Sequence, residues 1–386
     1  MTEPSAVFED EYRELLDSFG TFVRRELEPL AAELGDGGHP SYDLCSYVRQ
    51  RSAQLGFYAG DYPESLGGSG MPFSAVVALH HVAGRTGCRL APYALAGSEG
   101  PSPLLLGGTD AQVKRYLEPL VRGQRTRCLA LTEPDAGSDA FRLTTTAERT
   151  DGGWVISGRK TFVSNAAHAD LVLVVAAVET SAGRRRPAVF VVEREHPGMR
   201  LGQRYEGMSG EVLHELVLDA AEVPEEALLG DAADPDALGA SIGSLSRGRL
   251  MVAAQCNGIA EYALSLGVEY ARHRRAFGRP IGDYQHVQEH LVTSRAELEA
   301  SKVLTLACAR LVDSGVEPPE NAALAKLTAS TMAVRVVDRA LQVHGATGWV
   351  RGHPLEFLYR QVRTMTIIEG TTEIQKVIIA GAMGLG

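Results

Sequence analysis

The chain has 386 residues, of which 45% are hydrophobic and 22% are charged, and these proportions are typical of a soluble globular protein. Its length exceeds the span of one ordinary hydrophobic core, so we expect two or three domains. The 38 Lys and Arg residues face 48 Asp and Glu residues, and the resulting net charge of -10 argues against a broad basic surface for nucleic acid or anionic membranes.

The five cysteines are scattered and include no Cys-x-x-Cys pair, so we interpret them as buried thiols in a reducing compartment. The N-terminus is acidic and lacks the profile of a signal peptide. No apolar run approaches the roughly 18 residues of a membrane-spanning helix. We therefore expect a cytoplasmic protein that binds neither membrane nor nucleic acid.

Residues 1–125 are predicted to form an N-terminal α-helical domain. The first helix is indicated by large apolar residues at steps of four and three: Phe8, Tyr12, Leu15, Phe19 and Phe22. Further helices are expected at about 73–88 and 110–122. The second of these follows Thr109-Asp110, a pair typical of a helix N-cap.

Residues 126–235 change to short β-rich runs separated by turn residues. The runs are RCLALT, DGGWVISGRKTFVS, DLVLVVAAV, PAVFVVE and HELVLD. We expect hairpin turns at Asp151-Gly152-Gly153 and at Ser157-Gly158. Because no helices alternate with these strands, the pattern favours a small β-barrel or sandwich over a parallel sheet. We therefore predict a central β-barrel domain over 126–235.

Residues 236–386 return to long helices. Apolar residues at helical spacing mark two of them: Tyr284, Val287, Leu291 and Leu298 in one, and Leu327, Val334, Val337 and Leu341 in the other. Long helices without internal Gly or Pro usually pack as an antiparallel bundle, so we predict a C-terminal four-helix bundle. The fold class is thus α+β and multidomain, in the order helical, β-barrel, helical.

The segment HVQEH at 286–290 fits His-x-x-Glu-His, a zinc-hydrolase signature with both histidines on one helix face. Short patterns of this kind arise by chance, and no third ligand is marked elsewhere in the chain. We therefore interpret the segment as a polar helix face and predict no metal site.

The segment TIIEGTTEIQ at 366–375 places one carboxylate, Glu369, just before an expected helix start. Thr372 and Gln375 have the spacing of a capping box, so we expect the helix to begin there. The helix N-terminus favours the ionised carboxylate, whereas apolar walls from Ile367 and Ile368 would favour the neutral form. These opposed effects suit a general base, although an acid at this place can also simply stabilise its helix.

Five segments of the chain resemble, in the same order, the motifs of the acyl-CoA dehydrogenase superfamily, and the resemblance covers nearly the whole length. These segments are LALTEPDAGSD, GRKTFVSNAAHADLVLV, RRAFGRPIGDYQHVQ, QVHGATGWVRGHPLEFLYR and YRQVRTMTIIEGTTEIQ. The family's helical, β-barrel and helical-bundle domains match the three blocks. The resemblance implies an enzyme that uses flavin adenine dinucleotide, FAD, as cofactor.

The resemblance also assigns roles to residues of this chain. Glu369 would be the catalytic base. The residues implied to bind FAD are Leu131, Thr132, Ser138, Phe162, Ser164, Arg274, Phe277, Gln342, Val343, His344, Gly345, Ala346, Thr371 and Glu373. The residues implied to bind substrate are Ser138, Ser246, Arg249, Ile368 and Gly370.

The implied reaction is α,β-dehydrogenation of an acyl thioester to the trans-2-enoyl thioester, with hydride passing to FAD. The acyl carrier would be coenzyme A or an acyl carrier protein. By the same resemblance we expect a homotetramer built as a dimer of dimers, with an electron-transferring flavoprotein as a partner.

Two departures from the family pattern bear on the substrate. Ile368 stands where an aromatic residue commonly precedes the base, and the loop within EGMSGEVLHELVLD is about two residues short. A carrier-protein thioester, or a branched or short acyl group, therefore fits as well as a fatty acyl-CoA. Gly248 occupies the place where the isovaleryl type keeps its base, which leaves Glu369 as the candidate.

Two alternatives stay open within the same fold. One is an oxygen-using flavin monooxygenase or oxidase, although such members typically lack a glutamate at this position. The other is a non-catalytic, nucleic-acid-associated flavoprotein, for which a basic surface would be expected.

Overall fold

The structure, a computed structural model, describes residues 11–34, 39–140, 142–179, 183, 185–230, 245–317 and 319–385. The chain forms two compact units. The helical unit combines Met1–Pro40, Met71–Leu95 and Ser246–Gly386, and the sheet unit combines Ser41–Gly70 and Ala96–Leu245. The first 125 residues therefore contribute to both units. The domain boundaries at 125 and 235 stay predictions, and residue 235 lies outside the described residues.

The helical unit contains three N-terminal helices and six C-terminal ones among its described residues. They are α1 (Arg13–Phe22), which continues through a π-helical segment (Val23–Leu27) into α2 (Glu28–Ala32), then α4 (Phe73–Arg85), α7 (Leu245–His273), α8 (Gln285–Asp313), α9 (Pro319–His344), α10 (Ala346–Trp349), α11 (Pro354–Met365) and α12 (Thr372–Ala382). A two-strand hairpin, β8 (Arg275–Ala276) and β9 (Arg279–Pro280), joins α7 to the segment before α8. Phe8 lies outside the described residues.

The core of the helical unit is a bundle made by α4, α7, α8, α9 and α11. The face that α9 buries is rich in alanine, including Ala325, Ala329 and Ala333, and Lys326 lies on it without exposed surface. Of the stripe predicted for this helix only Val337 is fully buried, and Leu327, Val334 and Leu341 are half-buried. Small side chains let helices approach closely, and the alanine-rich face of α9 is therefore the one that is buried. The face predicted from the larger apolar residues lies next to it on the helix.

Helices α4 and α7 cross at a pair of glycines. A Cβ on Gly258 would lie 2.1 Å from the carbonyl oxygen of His81, and a Cβ on Gly84 would lie 2.7 Å from that of Gln255. Both distances are too short for real carbon atoms, so the crossing requires glycine at both positions.

We expect Gly258→Ala to destabilise the protein by about 1–3 kcal/mol, because the added methyl group would push two helix backbones apart. Gly381→Ala in α12 is the matched control, since nothing described lies within 4 Å of its added Cβ. Alanine favours helix there by up to about 1 kcal/mol. Denaturant unfolding measures the free energy of unfolding of both variants. Equal values would contradict the claim that the helix crossing requires glycine at position 258.

The sheet unit contains three short helical elements and seven strands among its described residues. They are α3 (Tyr42–Gln54), α5 (Asp110–Gln112) with α6 (Glu118–Val121), which a π-helical segment (Val113–Leu117) joins, β1 (Arg127–Ala130), β2 (Thr146–Thr150), β3 (Gly153–Ser164), β4 (Leu171–Glu179), β5 (Arg185–Glu193), β6 (Met199–Glu206) and β7 (Val212–Val223). The predicted cap before α5 is confirmed, since Thr109 and Gln112 form a complete capping box.

The seven strands make one mostly antiparallel sheet in the order β1-β4-β2-β3-β7-β6, and β5 pairs with the other edge of β4. Strand β4 pairs in parallel with both β1 and β2. The hairpin at residues 151–153 is confirmed, because Thr150 pairs with Gly153. Among the described strands, β1 and β5 each pair only with β4, and β6 pairs only with β7, so these three strands form the edges of the sheet.

The hairpin predicted at Ser157-Gly158 is wrong. Strand β3 runs through both residues, and its register against β7 shifts between Ile156 and Gly158. Gly158 has φ 153°, and a Cβ there would lie 2.7 Å from the Thr145 Cα, so the glycine marks a bulge that lets another backbone approach.

The predicted fold class is confirmed in its order of a helical, a β and a helical block. The described residues contain no helix with the length and hydrophobicity needed to cross a membrane. They also contain no group of three or more potential metal ligands placed to hold an ion.

Candidate active site

Glu369 lies on a tight turn between α11 and α12. Its φ is 54°, in the left-handed region that side chains other than glycine rarely adopt, and Gly370 follows with φ 87°. Such a conformation costs on the order of 1–3 kcal/mol and persists where surrounding contacts determine it. The turn is thus a built feature that sets the direction of the Glu369 side chain.

The cap of α12 differs from the prediction by one residue. The N-cap is Thr371, whose hydroxyl accepts a hydrogen bond from the Ile374 N–H at 3.3 Å. The Gln375 side chain does not return to the cap. Its Nε2 donates to the carbonyl oxygens of Glu369 (3.0 Å) and Gly370 (2.8 Å), so the glutamine stabilises the turn before the helix.

Two buried cations also donate to this turn. The Arg249 Nε donates to the Glu369 carbonyl at 3.3 Å, and the Lys326 Nζ donates to the Gly370 carbonyl at 2.8 Å. Lys326 and Gln375 have no exposed surface, and Arg249 is 9% exposed. Both carbonyls of the turn are therefore held by protein donors from three different helices.

The Glu369 carboxylate lies against the backbone of α7. A Cβ placed on Gly248 would be 3.1 Å from its Oε2 and 3.4 Å from its Cδ. Any larger residue at 248 would thus displace the carboxylate. Ser246, in the same turn of α7, is 2% exposed, so this helix end brings Ser246 and Arg249 to the Glu369 turn.

The electrostatics of the turn are set by burial. Burial lowers the pKa of Arg249, and the nearby charge of Glu369 opposes this. Burial lowers the pKa of Lys326 to about 8, against the opposing influence of Cys256 and Glu369. The backbone N–H of Glu373 and the side chain of Thr371 lower the pKa of Glu373.

The apolar walls expected from Ile367 and Ile368 are not present in the described chain. Their side chains are 52% and 40% exposed. Neither residue takes part in the buried hydrogen bonds of the turn, which involve the carbonyls of Glu369 and Gly370. The buried contacts of this site come instead from α7, α9 and α12.

A second group of predicted residues lies where α7 and α9 end. Tyr270 stacks on His344 with ring centroids 4.2 Å apart, which places Arg274 near the segment 342–346. His344 is buried, and its Nδ1 lies 2.8 Å from the Ala340 carbonyl oxygen. Gln342, Gly345 and Ala346 are exposed, and Val343 is half-buried.

Phe277 lies at the tip of the β8–β9 hairpin. Phe277 and Gly278 both have positive φ values, 46° and 85°, as in a type I′ turn. The Phe277 ring is 97% exposed in the chain. A large apolar ring held in a strained turn and left in water is typical of a binding surface.

A third group of predicted residues lies in the sheet unit. A register shift in β3 between Lys160 and Val163 turns Phe162 outward, with φ 54° and 55% exposure. Ser164 is exposed on the same strand, and Leu131 and Thr132 are half-buried after β1. The Thr161 N–H donates to the Thr132 carbonyl at 2.9 Å, which joins the two segments. Ser138 is exposed in the loop that follows.

Sequence analysis missed the buried pair that holds these two segments. The Lys160 Nζ donates to the Glu133 carboxylate at 2.8 Å and to the Leu131 carbonyl at 3.0 Å. Burial opposes ionisation of Glu133, but hydrogen bonds from Lys160 and Thr144 outweigh it and hold the pKa of the carboxyl at about 2. Glu133 lies in the quoted segment LALTEPDAGSD and Lys160 in GRKTFVSNAAHADLVLV, and their opposite charges were the only signal in the sequence that could have indicated the pair.

Three family models match the chain in order. The N-terminal, middle and C-terminal domains of acyl-CoA dehydrogenase match residues 9–124, 128–221 and 238–384. The chain is 34% identical to the 3-(aryl)acrylate reductase of Clostridium sporogenes, over 93% of this chain and 94% of that protein. It is 32% identical to the caffeyl-CoA reductase-Etf complex subunit CarC of Acetobacterium woodii, over 94% and 95%. It is also 33% identical to the mitochondrial short-chain specific acyl-CoA dehydrogenase of Bos taurus, over 93% and 87%.

Solved structures agree with these relatives. The butyryl-CoA dehydrogenase of Megasphaera elsdenii matches with a TM-score of 0.81 and 29% identity, over 99% of this chain and 98% of that one. An acyl-CoA dehydrogenase of Bacillus anthracis complexed with FAD matches with a TM-score of 0.85 and 26% identity, over 97% and 66%. The chain therefore belongs to the acyl-CoA dehydrogenase family, whose members are FAD-dependent oxidoreductases that act on CH–CH bonds.

Proposed function

We propose that the protein dehydrogenates an acyl thioester between its α and β carbons, with Glu369 as the base that removes the α-proton. The observation that carries the proposal is the Glu369 turn. A carboxylate on a strained turn lies against a glycine backbone, and buried donors hold the carbonyls beside it. This arrangement fixes a proton acceptor in one orientation, which general-base catalysis requires.

The chemistry needs a polarised carbonyl beside the base. A proton α to a thioester carbonyl is weakly acidic, so its removal depends on hydrogen bonds to the developing oxyanion. By the family resemblance the backbone N–H of Glu369 would donate one of them. When the Cα–H bond breaks, the proton passes to the Glu369 carboxylate and its electron pair forms the double bond. FAD, when bound, supplies the acceptor for the β-hydrogen, which leaves as hydride.

The described residues fit a flavin. In the sheet unit, the exposed ring of Phe162 and the exposed Ser164 lie on β3, and a backbone hydrogen bond joins this strand to the segment with Thr132, which suits a stacked ring system with a polar edge. In the helical unit, Gly345 has φ 59° and open space at its Cβ position, so a phosphate or ribose could approach its backbone. Arg274 and Phe277 would hold the dinucleotide end, and Thr371 and Glu373 would contact the cofactor after the base.

A second direction of the same reaction is favoured by two relatives, whose names describe reductases of an arylacrylate and of caffeyl-CoA. A protonated Glu369 would then return its proton to the α carbon. The direction follows from the electron partner and not from the base, since the same atoms move in both cases.

An anaerobic titration tests both directions. The FAD-loaded protein is mixed with butyryl-CoA, branched acyl-CoAs and 3-phenylpropanoyl-CoA, and bleaching of the flavin band reports dehydrogenation. Dithionite-reduced protein mixed with cinnamoyl-CoA or crotonyl-CoA reports the reverse reaction by return of the band. If dithionite reduces the flavin but no thioester of either set changes its absorbance, the proposal is contradicted for coenzyme A carriers. The carrier-protein thioester is then tested in the same way with an acylated carrier protein.

We further propose a homotetramer and an electron-transferring flavoprotein partner. Phe277, Trp349 and Val350 are more than half exposed in the single chain, which favours cover by a second subunit. One relative is named as part of an Etf complex. All five cysteines are free and buried, in keeping with the cytoplasm. The oxygen-using alternative loses support, since Glu369 is kept and held in place.

Arg274→Ala is expected to lower the FAD content of the purified protein by removing a cation from the dinucleotide end. Because a ligand that binds only the folded state stabilises it, the variant should also melt at a lower temperature unless excess FAD is added. Arg279→Ala in the same hairpin is the matched comparison, since that guanidinium stacks on Tyr284. Unchanged flavin content in Arg274→Ala would contradict the assignment.

A further inference from the structure

Lys326 is a buried cation that touches the Glu369 turn from α9. Its side chain has no exposed surface, and its Nζ donates to the carbonyl of Gly370, the residue after the base, at 2.8 Å. Among the described residues it forms no contact ion pair with a carboxylate. Lys302, the other buried lysine of the bundle, pairs directly with Glu261 at 2.7 Å.

A buried ammonium without a contacting carboxylate is costly and is therefore uncommon in a packed core. The charged and titratable groups that face Lys326 are Arg249 and Cys256 from α7, and Glu369 and Glu373 from the turn and α12. Arg249 repels the ammonium, whereas the carboxylates attract it. Two cations thus converge on the turn that carries Glu369, and each of them donates to a backbone carbonyl of that turn.

We propose that Lys326 is a positioning residue for the base. Its ammonium fixes the Glu369–Gly370 turn through the Gly370 carbonyl, and its positive charge stabilises the ionised Glu369 carboxylate. The proposal rests on the assignment of Glu369 as the base.

The geometry explains why the turn needs such a residue. A non-glycine residue at φ 54° tends to relax towards an ordinary backbone conformation, which would rotate the carboxylate away from Gly248. Lys326 and Gln375 share the Gly370 carbonyl, and Gln375 also holds the preceding one. Both donors are fully buried, so water cannot replace either of them.

The two contributions of Lys326 can be separated by substitution. Lys326→Met removes the donor and the charge, and Lys326→Gln keeps a donor but removes the charge. Gln375→Leu removes hydrogen bonds to the same turn and leaves the charge in place. Lys302→Met is the matched control, because it removes a buried lysine of the same bundle that does not contact the turn.

The test is a pH titration of the Glu369 carboxylate in the FAD-loaded protein, followed by infrared difference spectroscopy. The Glu369 band is assigned by its loss in Glu369→Gln. In Lys326→Gln and Lys326→Met the midpoint should move to higher pH by about one unit, the lower end of the effect of one nearby opposite charge. Gln375→Leu and Lys302→Met should leave the midpoint in place. The rate of exchange of the α-proton of butyryl-CoA for deuterium in D2O falls on the acid side of its pH profile, and this fall should move by the same amount as the midpoint of the carboxylate titration.

An unchanged midpoint in Lys326→Gln would overturn the proposal, as would an equal movement in Lys302→Met. If Lys326→Met does not fold, Lys326→Gln alone decides, because it is close in size and keeps a donor. The infrared result is independent of the assignment of Glu369 as the base, because it reports the ionisation of the carboxylate whether or not turnover occurs. Normal flavin reduction by Glu369→Gln would instead remove the proposed function.

Discussion

Glu369→Gln should bind FAD and fold normally but reduce its flavin on the order of 10²-fold or more slowly when an acyl-CoA substrate is added. The substitution keeps the size of the side chain and removes its ability to accept a proton. The carbonyl contacts of Arg249 and Gln375 involve the backbone of residue 369, so they survive the change. Stopped-flow absorbance of the flavin band under anaerobic conditions measures the rate.

The control for this prediction is Glu269→Gln, the same substitution at an exposed position of α7. It should reduce its flavin at the wild-type rate. A slow rate in Glu369→Gln together with unchanged FAD content and unchanged melting temperature would assign the loss to chemistry. Near-normal flavin reduction by Glu369→Gln would rule out Glu369 as the base.

Lys160→Met is expected to cost about 3–5 kcal/mol of stability, because it leaves the Glu133 carboxylate buried without its cation. The side chains of this pair are 0% and 1% exposed. Since Lys160 also donates to the Leu131 carbonyl, the two segments that carry Thr132 and Phe162 should separate, and FAD content should fall. Denaturant unfolding and the flavin absorbance of the purified protein measure both effects.

The pH dependence gives a second measure of this pair. The pKa of Glu133 is lowered from 4.5 to about 2 in the folded protein, so its contribution to stability is complete above pH 4.5 and is lost as pH falls towards 2. Glu133→Gln should lack this part of the acid dependence. Arg204→Met, which breaks an exposed pair with Glu206, should cost at most about 1 kcal/mol. Equal costs for Lys160→Met and Arg204→Met would contradict the role of the buried pair.

Much of the fold could be predicted because its signals are local. Strand β4 consists almost wholly of apolar residues and is buried on both faces, and Thr109 with Gln112 caps α5 as its spacing indicates. The two strands of the seven-stranded sheet that escaped prediction, β2 and β6, are polar. Most residues of β6 are exposed, since it forms an edge of the sheet, so its sequence carries little hydrophobic pattern.

The candidate site was predicted in part for the same reason. Glu369 was expected on a turn before a helix, and the structure places it there, with the cap one residue earlier than expected. The error arose because Gln375 has the spacing of a capping box but donates to the turn instead. The choice between these partners depends on burial, which local spacing does not specify.

The sequence by itself determined the order of the three blocks, most of their elements and the carboxylate that serves as candidate base, because periodicity, turn residues and contiguous motifs are properties of neighbouring positions. Only the tertiary structure decided which distant residues meet. Lys326 donates to a carbonyl 44 positions away in the sequence, and Arg249 donates to a carbonyl 120 positions away. Glu133 accepts a hydrogen bond from a lysine 27 positions away. Burial gives these contacts their strength, since each charge must find a partner that replaces water.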